Sequence, residues 1–328
     1  MTFEGEKMEK IAQSNIKVGI SSCLLGAKVR YDGGHKQSRY CQNILSDHFE
    51  FEPLCPEMAI GLGTPRKAIR LVSDDDRIRV VASDGSFDVT DEMEEYAIKT
   101  SVTLDHLSGY ILCAKSPSCG MERVTLYQAG TNDGQRNGVG VFAAQIMKDH
   151  PLLPVEEEGR LNDSLLRDNF ITRVFAYNKW KSLVAGAGGV TMAKMISFHA
   201  QHKYLLMAHN PALYYKLGPI IGGNTEKSTA DIADEYIKLF MQVLATLPTR
   251  KSHTNTLAHL QGYFKKHLSS DQRVDLASNI DKYRQGLLPL MAPLTLINHY
   301  LALFPDPYLQ QQVYLHPHPD ELKLRYSH

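Results

Sequence analysis

Three of the five cysteines share a sequence context that suits metal chemistry. Cys23, Cys55 and Cys119 each follow a strand-like run, in segments rich in Ser, Gly or Pro. Because the carboxyl ends of parallel strands meet at one crevice where ligands bind, three such thiols can converge on one point. Cys41 lies in a helical pattern and Cys113 in an apolar strand, so we predict that both are core residues.

Three converging thiolates are compatible with more than one kind of site. Structural zinc normally uses four ligands, often in C-x2-C pairs, and the sequence contains no such pair. A catalytic zinc uses three ligands and a water, whereas a [4Fe–4S] cluster on three thiolates keeps one open iron. All-thiolate ligation favours iron–sulfur, and three unrelated loop cysteines without a metal are the alternative on spacing alone.

Polar residues beside these cysteines suit proton transfer. Glu57, two residues after Cys55, is a candidate general base, and Ser116 and Ser118 bring hydroxyls next to Cys119. Further hydroxyls and positive charges come from Ser21, Ser22, Arg30, Arg66 and Lys115. The sequence contains no phosphate loop, dinucleotide fingerprint, nucleophile elbow or paired metalloprotease histidines.

The elements that must position these residues alternate between strand and helix. Strand-like runs occur at Ile16–Ile20, Phe51–Leu54, Ile69–Val72, Ile78–Ala82 and Tyr110–Cys113. Helical patterns occur at Ser38–Phe49, at Val139–Lys148, and in a segment that runs to about Leu107 with Asp88 or Thr90 as its N-cap. This alternation predicts an α/β domain with a parallel-type sheet flanked by helices.

The pattern changes after Pro151–Gly159, and long helices dominate from about Leu165. The predicted helices are Phe170–Val184, Met192–His209, Ala230–Leu247, Asn255–Leu268, Gln272–Arg284 and Leu294–Leu303. We therefore predict two domains, an α/β domain over residues 1–164 and an all-α domain over 165–328.

Composition agrees with two chemically different domains. The 328 residues include 36 basic residues (Lys and Arg) and 36 acidic ones (Asp and Glu). From Ile171 onward there are 17 basic and 10 acidic residues, so the part before Ile171 holds 19 basic and 26 acidic ones. Ordinary apolar content (43%) excludes wholesale disorder, and no apolar run is long enough for a membrane span. The polar start MTFEGEKMEK lacks the apolar stretch of a leader, so we expect a cytoplasmic protein with reduced thiols.

Three separated segments resemble the thiouracil desulfidase (TudS-like) family. They are SSCLLGAKVRYDGG (Ser21–Gly34), CPEMAIGLGTPR (Cys55–Arg66) and KSPSCG (Lys115–Gly120), the last followed by GVGVF (Gly138–Phe142). FHAQHKYLLMAHNP (Phe198–Pro211) resembles the helical domain often fused to that family. The two-domain arrangement is similar to the RudS-type enzymes, which are implicated in removing sulfur from 4-thiouridine in tRNA.

The resemblance implies a cofactor and a reaction. The cofactor is a [4Fe–4S] cluster with three cysteine ligands, here Cys23, Cys55 and Cys119, and one open iron. The reaction is non-redox, hydrolytic removal of sulfur from thiolated uracil, with 4-thiouridine in tRNA as the expected substrate and hydrosulfide as product. We expect Glu57, Ser116 and Ser118 to act beside the cluster, with Glu57 activating the water. Two alternatives are a desulfidase for free 2-thiouracil and a non-enzymatic iron–sulfur protein that binds RNA or senses redox state.

The basic helical domain is the expected contact for tRNA. Phosphate contacts from lysine and arginine supply position and much of the affinity for nucleic acids. The candidates are Arg250 with Lys251, Lys265 and Lys266 with Tyr263 and Phe264, and Lys203 with Tyr204.

Overall fold

The computed structural model describes residues 16–74, 77–223 and 226–325. The chain forms two compact units, Met1–Gly159 and Arg160–His328. The predicted fold classes are confirmed, because the first unit carries a parallel sheet flanked by helices and the second unit is helical.

The first unit contains eight described strands and four described helices. The strands are β1 (Ile16–Ser21), β2 (Phe49–Leu54), β3 (Ile69–Asp74), β4 (Arg77–Ala82), β5 (Gly109–Leu112), β6 (Val124–Gln128), β7 (Gly134–Gly138) and β8 (Val155–Glu157). The helices are α1 (Arg39–Asn43), α2 (Pro56–Ala59), α3 (Thr90–Ser101) and α4 (Val141–Asp149), with short 3-10 turns at Ser22–Leu25 and Leu45–Asp47.

Four strands form an all-parallel sheet in the order β2-β1-β5-β8. Its centre is buried on both faces, as parallel sheets are, with Val18, Ile20 and Ile111 fully enclosed. Gly19 is required in β1, because a Cβ there would lie 2.3 Å from the ring of Tyr110. Strands β1, β2 and β5 are neighbours, so their carboxyl ends open on one side of this sheet.

The other four strands form a mixed sheet in the order β4-β3-β6-β7. β3 pairs antiparallel with β4 and parallel with β6, while β6 and β7 form a hairpin. One face packs on α3 through a small core that includes Leu71, Val80, Met93 and Val124. The sequence analysis predicted β3 and β4 but missed β6 and β7. Strand β7 (GQRNG) is polar and mostly exposed and carries no strand signal, whereas β6 (VTLYQ) carries one that was overlooked.

Two predicted helices of this unit are shorter than expected. Ser38–Phe49 divides into α1, a 3-10 turn and the start of β2, and Ser38 caps α1 by accepting from the backbone N–H of Cys41 at 3.3 Å. Helix α3 begins at Thr90 with Val89 as its N-cap, so the prediction of Asp88 or Thr90 as the N-cap residue is wrong. The helix ends at Ser101 rather than near Leu107, whose buried side chain belongs to the loop before β5.

The second unit is built from eight described helices. They are α5 (Ser164–Ala185), α6 (Met192–His209), α7 (Pro211–Gly222), α8 (Thr229–Ala245), α9 (Arg250–Gln261), α10 (Ser270–Arg284), α11 (Met291–Leu303) and α12 (Pro307–Gln310). Six of these overlap the predicted helices, and α6 has the predicted bounds. Helix α5 begins six residues before its predicted start, and α9 begins five residues early and ends at Gln261 rather than Leu268. Helix α7 was not predicted, because Gly218 and Pro219 interrupt its pattern.

Aromatic rings fill the centre of the helical unit. Trp180 lies edge-on to Phe198 at 5.3 Å, and Phe198 contacts Phe240 at 5.0 Å. His202 is enclosed in the same cluster, 4.1 Å from the ring of Phe198. Among the described helices, none combines the length and hydropathy needed to cross a membrane.

Candidate functional site

A cavity of about 460 Å³ lies at the carboxyl ends of the parallel strands, and four cysteines line it. Cys23 follows β1 in a 3-10 turn and Cys55 follows β2 directly. Cys113 and Cys119 lie on the loop that leaves β5. The three cysteines that the sequence pattern selected therefore line one cavity, together with a fourth.

Cys113 was predicted as a core residue inside a strand. It is buried, with 5% exposure, but it lies one residue past the end of β5 and lines the cavity. Its thiol is hydrogen-bonded to Cys23, and its backbone N–H donates to Ser21 Oγ at 3.0 Å. Cys41 is fully buried in α1 and does not line the cavity, which agrees with its prediction as a core residue.

The thiols of the cavity have strongly perturbed acidities. Burial raises the pKa of Cys119 far above its usual range and raises the pKa of Cys55 as well. The hydrogen bond between Cys23 and Cys113 raises the pKa of Cys23 and lowers the pKa of Cys113. Without a metal, Cys23, Cys55 and Cys119 are held as thiols, so binding of a metal centre would release protons from them.

Glu57 occupies the cavity wall with a partner on each carboxylate oxygen. Its Oε1 accepts from the Ser118 hydroxyl at 2.7 Å, and Ser116 Oγ lies 2.9 Å from Ser118 Oγ. Its Oε2 accepts from Arg66, whose Nε lies at 3.2 Å and whose terminal nitrogen forms a second, shorter contact. The three residues predicted to act beside the metal centre therefore form one hydrogen-bonded chain, oriented by Arg66.

Arg66 was noted from sequence only as a positive charge. Its side chain is 5% exposed, and besides Glu57 it donates to the carbonyls of Gly63 at 2.6 Å and Val29 at 3.0 Å. It thus joins the loop after β1 to the segment after α2. Two guanidinium nitrogens of Arg66 donate to the one oxygen Oε2, which leaves Oε1 to Ser118 and fixes the carboxylate in one orientation.

Two carboxylates at the end of β8 hold the loop that carries Cys113 and Cys119. Glu158 accepts from the backbone N–H of Ala114 at 2.7 Å and pairs with Lys36. Glu157 accepts from the N–H of Met121 at 2.9 Å. In the sequence, the acidic run Glu156–Glu158 only marked the change of pattern. In the structure, two of its carboxylates hold the cysteine loop in place by hydrogen bonds.

Gly140 allows the same loop to lie against the start of α4. A Cβ at Gly140 would lie 2.6 Å from the carbonyl carbon and oxygen of Ser118 and 2.8 Å from the nitrogen of Cys119. The N–H of Gly140 donates to the carbonyl of Gly120 at 2.8 Å. The GVGVF segment is therefore needed for the position of Cys119.

The donor set of the cavity suits an iron–sulfur centre better than a single metal ion. Over the described ranges, no group of three or more His, Cys, Asp or Glu side chains is placed to hold one metal ion. In a [4Fe–4S] cluster each thiolate binds a different iron, so its ligands surround a cavity and do not converge on one atom. The described lining offers four soft thiols and no imidazole, a donor set that matches such a cluster.

The residues predicted to contact RNA differ in their exposure to solvent. Lys251, Lys265 and Lys266 are exposed, and Tyr263 is partly exposed. Phe264 and Tyr204 are buried, with 1% and 2% exposure, so these two candidates are core residues and do not lie on the surface. Arg250 donates to the carbonyl of Tyr283 at 2.8 Å, which gives it a structural contact.

These features define a class of protein: an α/β domain with a thiol-lined cavity at the carboxyl edge of its parallel sheet. A family model described as 2-thiouracil desulfurase matches residues 18–158, and a second, DUF1722, described as a protein of unknown function, matches residues 203–319. The chain belongs to the 2-thiouracil desulfurase family, with a DUF1722 region following the desulfurase region.

Two relatives have no described activity. The chain is 35% identical over 161 residues to the uncharacterized protein YbgA of Escherichia coli (strain K12), covering 49% of this chain and 94% of YbgA. It is 32% identical over 155 residues to the uncharacterized protein YbbK of Bacillus subtilis (strain 168), covering 44% of this chain and 98% of YbbK. A solved structure of the [4Fe–4S]-dependent thiouracil desulfidase TudS is similar at 30% identity with a TM-score of 0.37, covering 44% of this chain and 93% of that chain.

Proposed function

We propose that the first unit is an iron–sulfur-dependent desulfidase that converts a thiolated uracil to uracil and releases hydrosulfide. The observation that carries the proposal is the convergence of Cys23, Cys55 and Cys119 on one cavity that also holds the Glu57–Ser118–Ser116 chain. Soft donors and a hydrogen-bonded carboxylate in one cavity match a reaction that must accept sulfur and activate water.

Cys23, Cys55 and Cys119 would hold a [4Fe–4S] cluster as its three protein ligands. When bound, the cluster supplies an open iron, a soft Lewis acid suited to the sulfur of a thiocarbonyl group. Cys113 is the fourth thiol of the cavity and stays next to Cys23.

Glu57 would act as the general base. It would accept a proton from water as the new carbon–oxygen bond forms, and the carbon–sulfur bond would break with loss of hydrosulfide. The Ser118 hydroxyl, 2.7 Å from Glu57 Oε1, would orient this water together with Ser116. Arg66 holds the carboxylate facing Ser118, so the base is oriented before substrate arrives.

The first experiment tests cofactor and reaction together. The full chain is purified without oxygen, its iron and acid-labile sulfide are measured, and desulfuration of thiouracil is followed. Cys55→Ala should lose both the brown absorbance and the activity. Cys41→Ala, which removes a buried thiol outside the cavity, should keep both. Full activity in iron-free protein, or in Cys55→Ala, would contradict the proposal.

We further propose 4-thiouridine in tRNA as the substrate, with the helical unit as the tRNA contact. The excess of basic residues in the helical part of the chain and the exposed lysines Lys251, Lys265 and Lys266 support this. Turnover of thiolated tRNA is compared with that of free 2-thiouracil and free 4-thiouracil. Faster turnover of tRNA that falls steeply with added salt is expected, because phosphate contacts are screened by counterions. Preference for a free base would instead indicate a salvage enzyme, and binding without any desulfuration would indicate a non-enzymatic RNA-binding protein.

A further inference from the structure

The cavity contains one thiol more than the proposed cluster uses. The cluster would take three cysteines as ligands, and Cys113 is the fourth cysteine of the described lining. A buried cysteine outside a reactive setting behaves as a small apolar side chain, as Cys41 does in α1. Cys113 differs from Cys41, because it is buried against another thiol and lies on the wall of a cavity that small molecules can enter.

Strand pairing places Cys113 beside Cys23. Strands β1 and β5 are parallel neighbours, and Ile20 pairs with Ile111. Cys23 comes three residues after this pair along one chain segment, and Cys113 comes two residues after it along the other. The two thiols are in hydrogen-bond contact, and the N–H of Cys113 also donates to Ser21 Oγ at 3.0 Å. Neighbouring strands lie about 4.8 Å apart and the Cα atoms of a disulfide about 4.4–6.8 Å apart, so a bond between the two sulfurs fits the spacing of these strands.

The other two thiols of the cavity contact groups that contain no sulfur. Cys119 Sγ accepts from the Ser118 hydroxyl at 3.7 Å, and Cys55 Sγ accepts from the backbone N–H of Met58. Over the described residues, no cysteines other than Cys23 and Cys113 are in hydrogen-bond contact with each other. This pair is therefore the place where the cavity can form a disulfide with the least rearrangement.

We propose that Cys23 and Cys113 form a reversible disulfide when hydrogen peroxide oxidises the cluster-free protein, and that this disulfide prevents loading of the cluster until a thiol reduces it. The Cys113 sulfur attacks one oxygen of the peroxide, which forms a sulfenic acid and releases water. The Cys23 sulfur then bonds to the Cys113 sulfur and a second water leaves. The two thiols lose two electrons, the peroxide is reduced to two waters, and the thiol protons end in those waters. Lys36, whose Nζ lies 3.4 Å from the Ala114 carbonyl, brings a positive charge near the attacking sulfur.

The disulfide protects a residue on which the cluster depends, and to this extent the inference rests on the proposed iron–sulfur function. A thiol that meets peroxide without a thiol neighbour passes from sulfenic to sulfinic and sulfonic acid, which thiols do not reverse. A neighbouring thiol stops the oxidation at the disulfide. Reduction by a dithiol then returns Cys23 as a thiol that can bind iron again.

Peptide mapping of the full chain tests the pair directly. Iron is removed by a chelator without oxygen, and the protein is treated with one equivalent of hydrogen peroxide. The number of free thiols should fall from five to three, because one disulfide takes two of them. Trypsin cuts after Lys and Arg and so places Cys23, Cys113 and Cys119 in separate peptides, which are residues 18–28, 100–115 and 116–123. The first two peptides should be joined, and any other linkage, or a loss of thiols without linkage, would overturn the inference.

Variants show what the disulfide does for the cluster. After peroxide and then dithiothreitol, the unchanged protein should take up iron and sulfide to the level of untreated protein. Cys41→Ser, which removes a buried thiol outside the cavity, should do the same. Cys113→Ser should lose most of that uptake, because Cys23 then has no partner and is oxidised irreversibly.

The same variant without peroxide is the control for folding. Untreated Cys113→Ser should load iron like the unchanged protein. Failure to load would make Cys113 a ligand of the cluster, and recovery after peroxide as complete as in Cys41→Ser would remove its protective role. Either result would overturn the inference.

The inference and the proposed function fail separately. The disulfide is detected in protein without a cluster, so joined peptides in a chain that never binds iron would refute the iron–sulfur function and leave the cysteine pair standing. Unjoined peptides in a chain that binds iron and desulfurates thiouracil would refute this inference alone.

Discussion

Replacing Arg66 by methionine should destabilise the first unit and not the second. The substitution keeps the aliphatic stem but removes the partner of Glu57, whose side chain is 15% exposed. It also leaves the carbonyls of Gly63 and Val29 without their donor. Breaking a buried ion pair by removing one partner costs about 3–5 kcal/mol, and the lost carbonyl contacts add to this only in part, because they are cooperative with the pair.

The two units allow an internal control. The single tryptophan, Trp180, is in α5, so its fluorescence during urea unfolding follows the helical unit alone. Hydrogen–deuterium exchange of peptides from α2 and β3 follows the first unit. In cluster-free Arg66→Met, exchange of these amides should accelerate by roughly a hundredfold or more, since each 1.4 kcal/mol is tenfold. The tryptophan transition should stay where it is in the unchanged protein.

A double-mutant cycle identifies the cause. In a Glu57→Gln background the buried carboxylate is gone, so adding Arg66→Met should cost about 1–3 kcal/mol less than it does alone. If Arg66→Met costs less than about 1 kcal/mol, or if the two substitutions are additive, Arg66 does not act through Glu57, and the argument that it orients the base is refuted.

Three further predictions concern other parts of the molecule. Gly140→Ala should displace the Cys119 loop and lower bound iron in anaerobically purified protein, whereas Gly159→Ala, whose Cβ meets nothing within 4 Å, should not. The helical unit should lose stability as pH falls from 6.5, because burial lowers the pKa of His209 to about 4 and that of His202 to about 3. Over this range the unfolded chain takes up protons that the folded unit excludes, which costs about 4 kcal/mol of unfolding free energy between pH 7 and 5. Urea unfolding followed by fluorescence measures this loss, and a flat pH profile would contradict the prediction. Thr249→Ala removes a capping box at the start of α9 and should lower the unfolding free energy of the helical unit by about 1 kcal/mol in the same assay. A change under about 0.3 kcal/mol would contradict this prediction.

The helical unit was largely predictable because capping side chains, glycines and prolines mark the ends of its long helices. Helix α6 has the predicted bounds, and capping side chains such as Thr191 and Ser269 mark where helices begin. Helix α7 shows the limit of this signal. Proline and glycine weaken a helical pattern, yet tertiary contacts on α6 and α8 stabilise the helix.

The cavity was predictable only in part. The sequence indicates where a strand ends, but it does not indicate which strands lie next to each other in the sheet. Three cysteines after apolar runs indicated a shared crevice. The position of Cys113 depends on where β5 ends, and a shift of one residue moves a thiol from the strand to the cavity. Sequence patterns do not locate such a boundary to one residue. The pairing of Arg66 with Glu57 depends on the turn between α2 and β3, which spacing alone does not define.

The acidic excess of the first half of the chain has a structural use that composition did not reveal. Glu157 and Glu158 lie at the end of a three-residue strand that carries no clear propensity signal, yet both accept from backbone N–H groups of the cysteine loop. Burial raises the pKa of Glu157, which shows that placing a carboxylate there is unfavourable in itself. Backbone N–H groups offset that cost at Glu157, and Lys36 pairs with Glu158, so both acids hold the loop that presents Cys119. Part of the negative charge of this domain is therefore neutralised inside the fold.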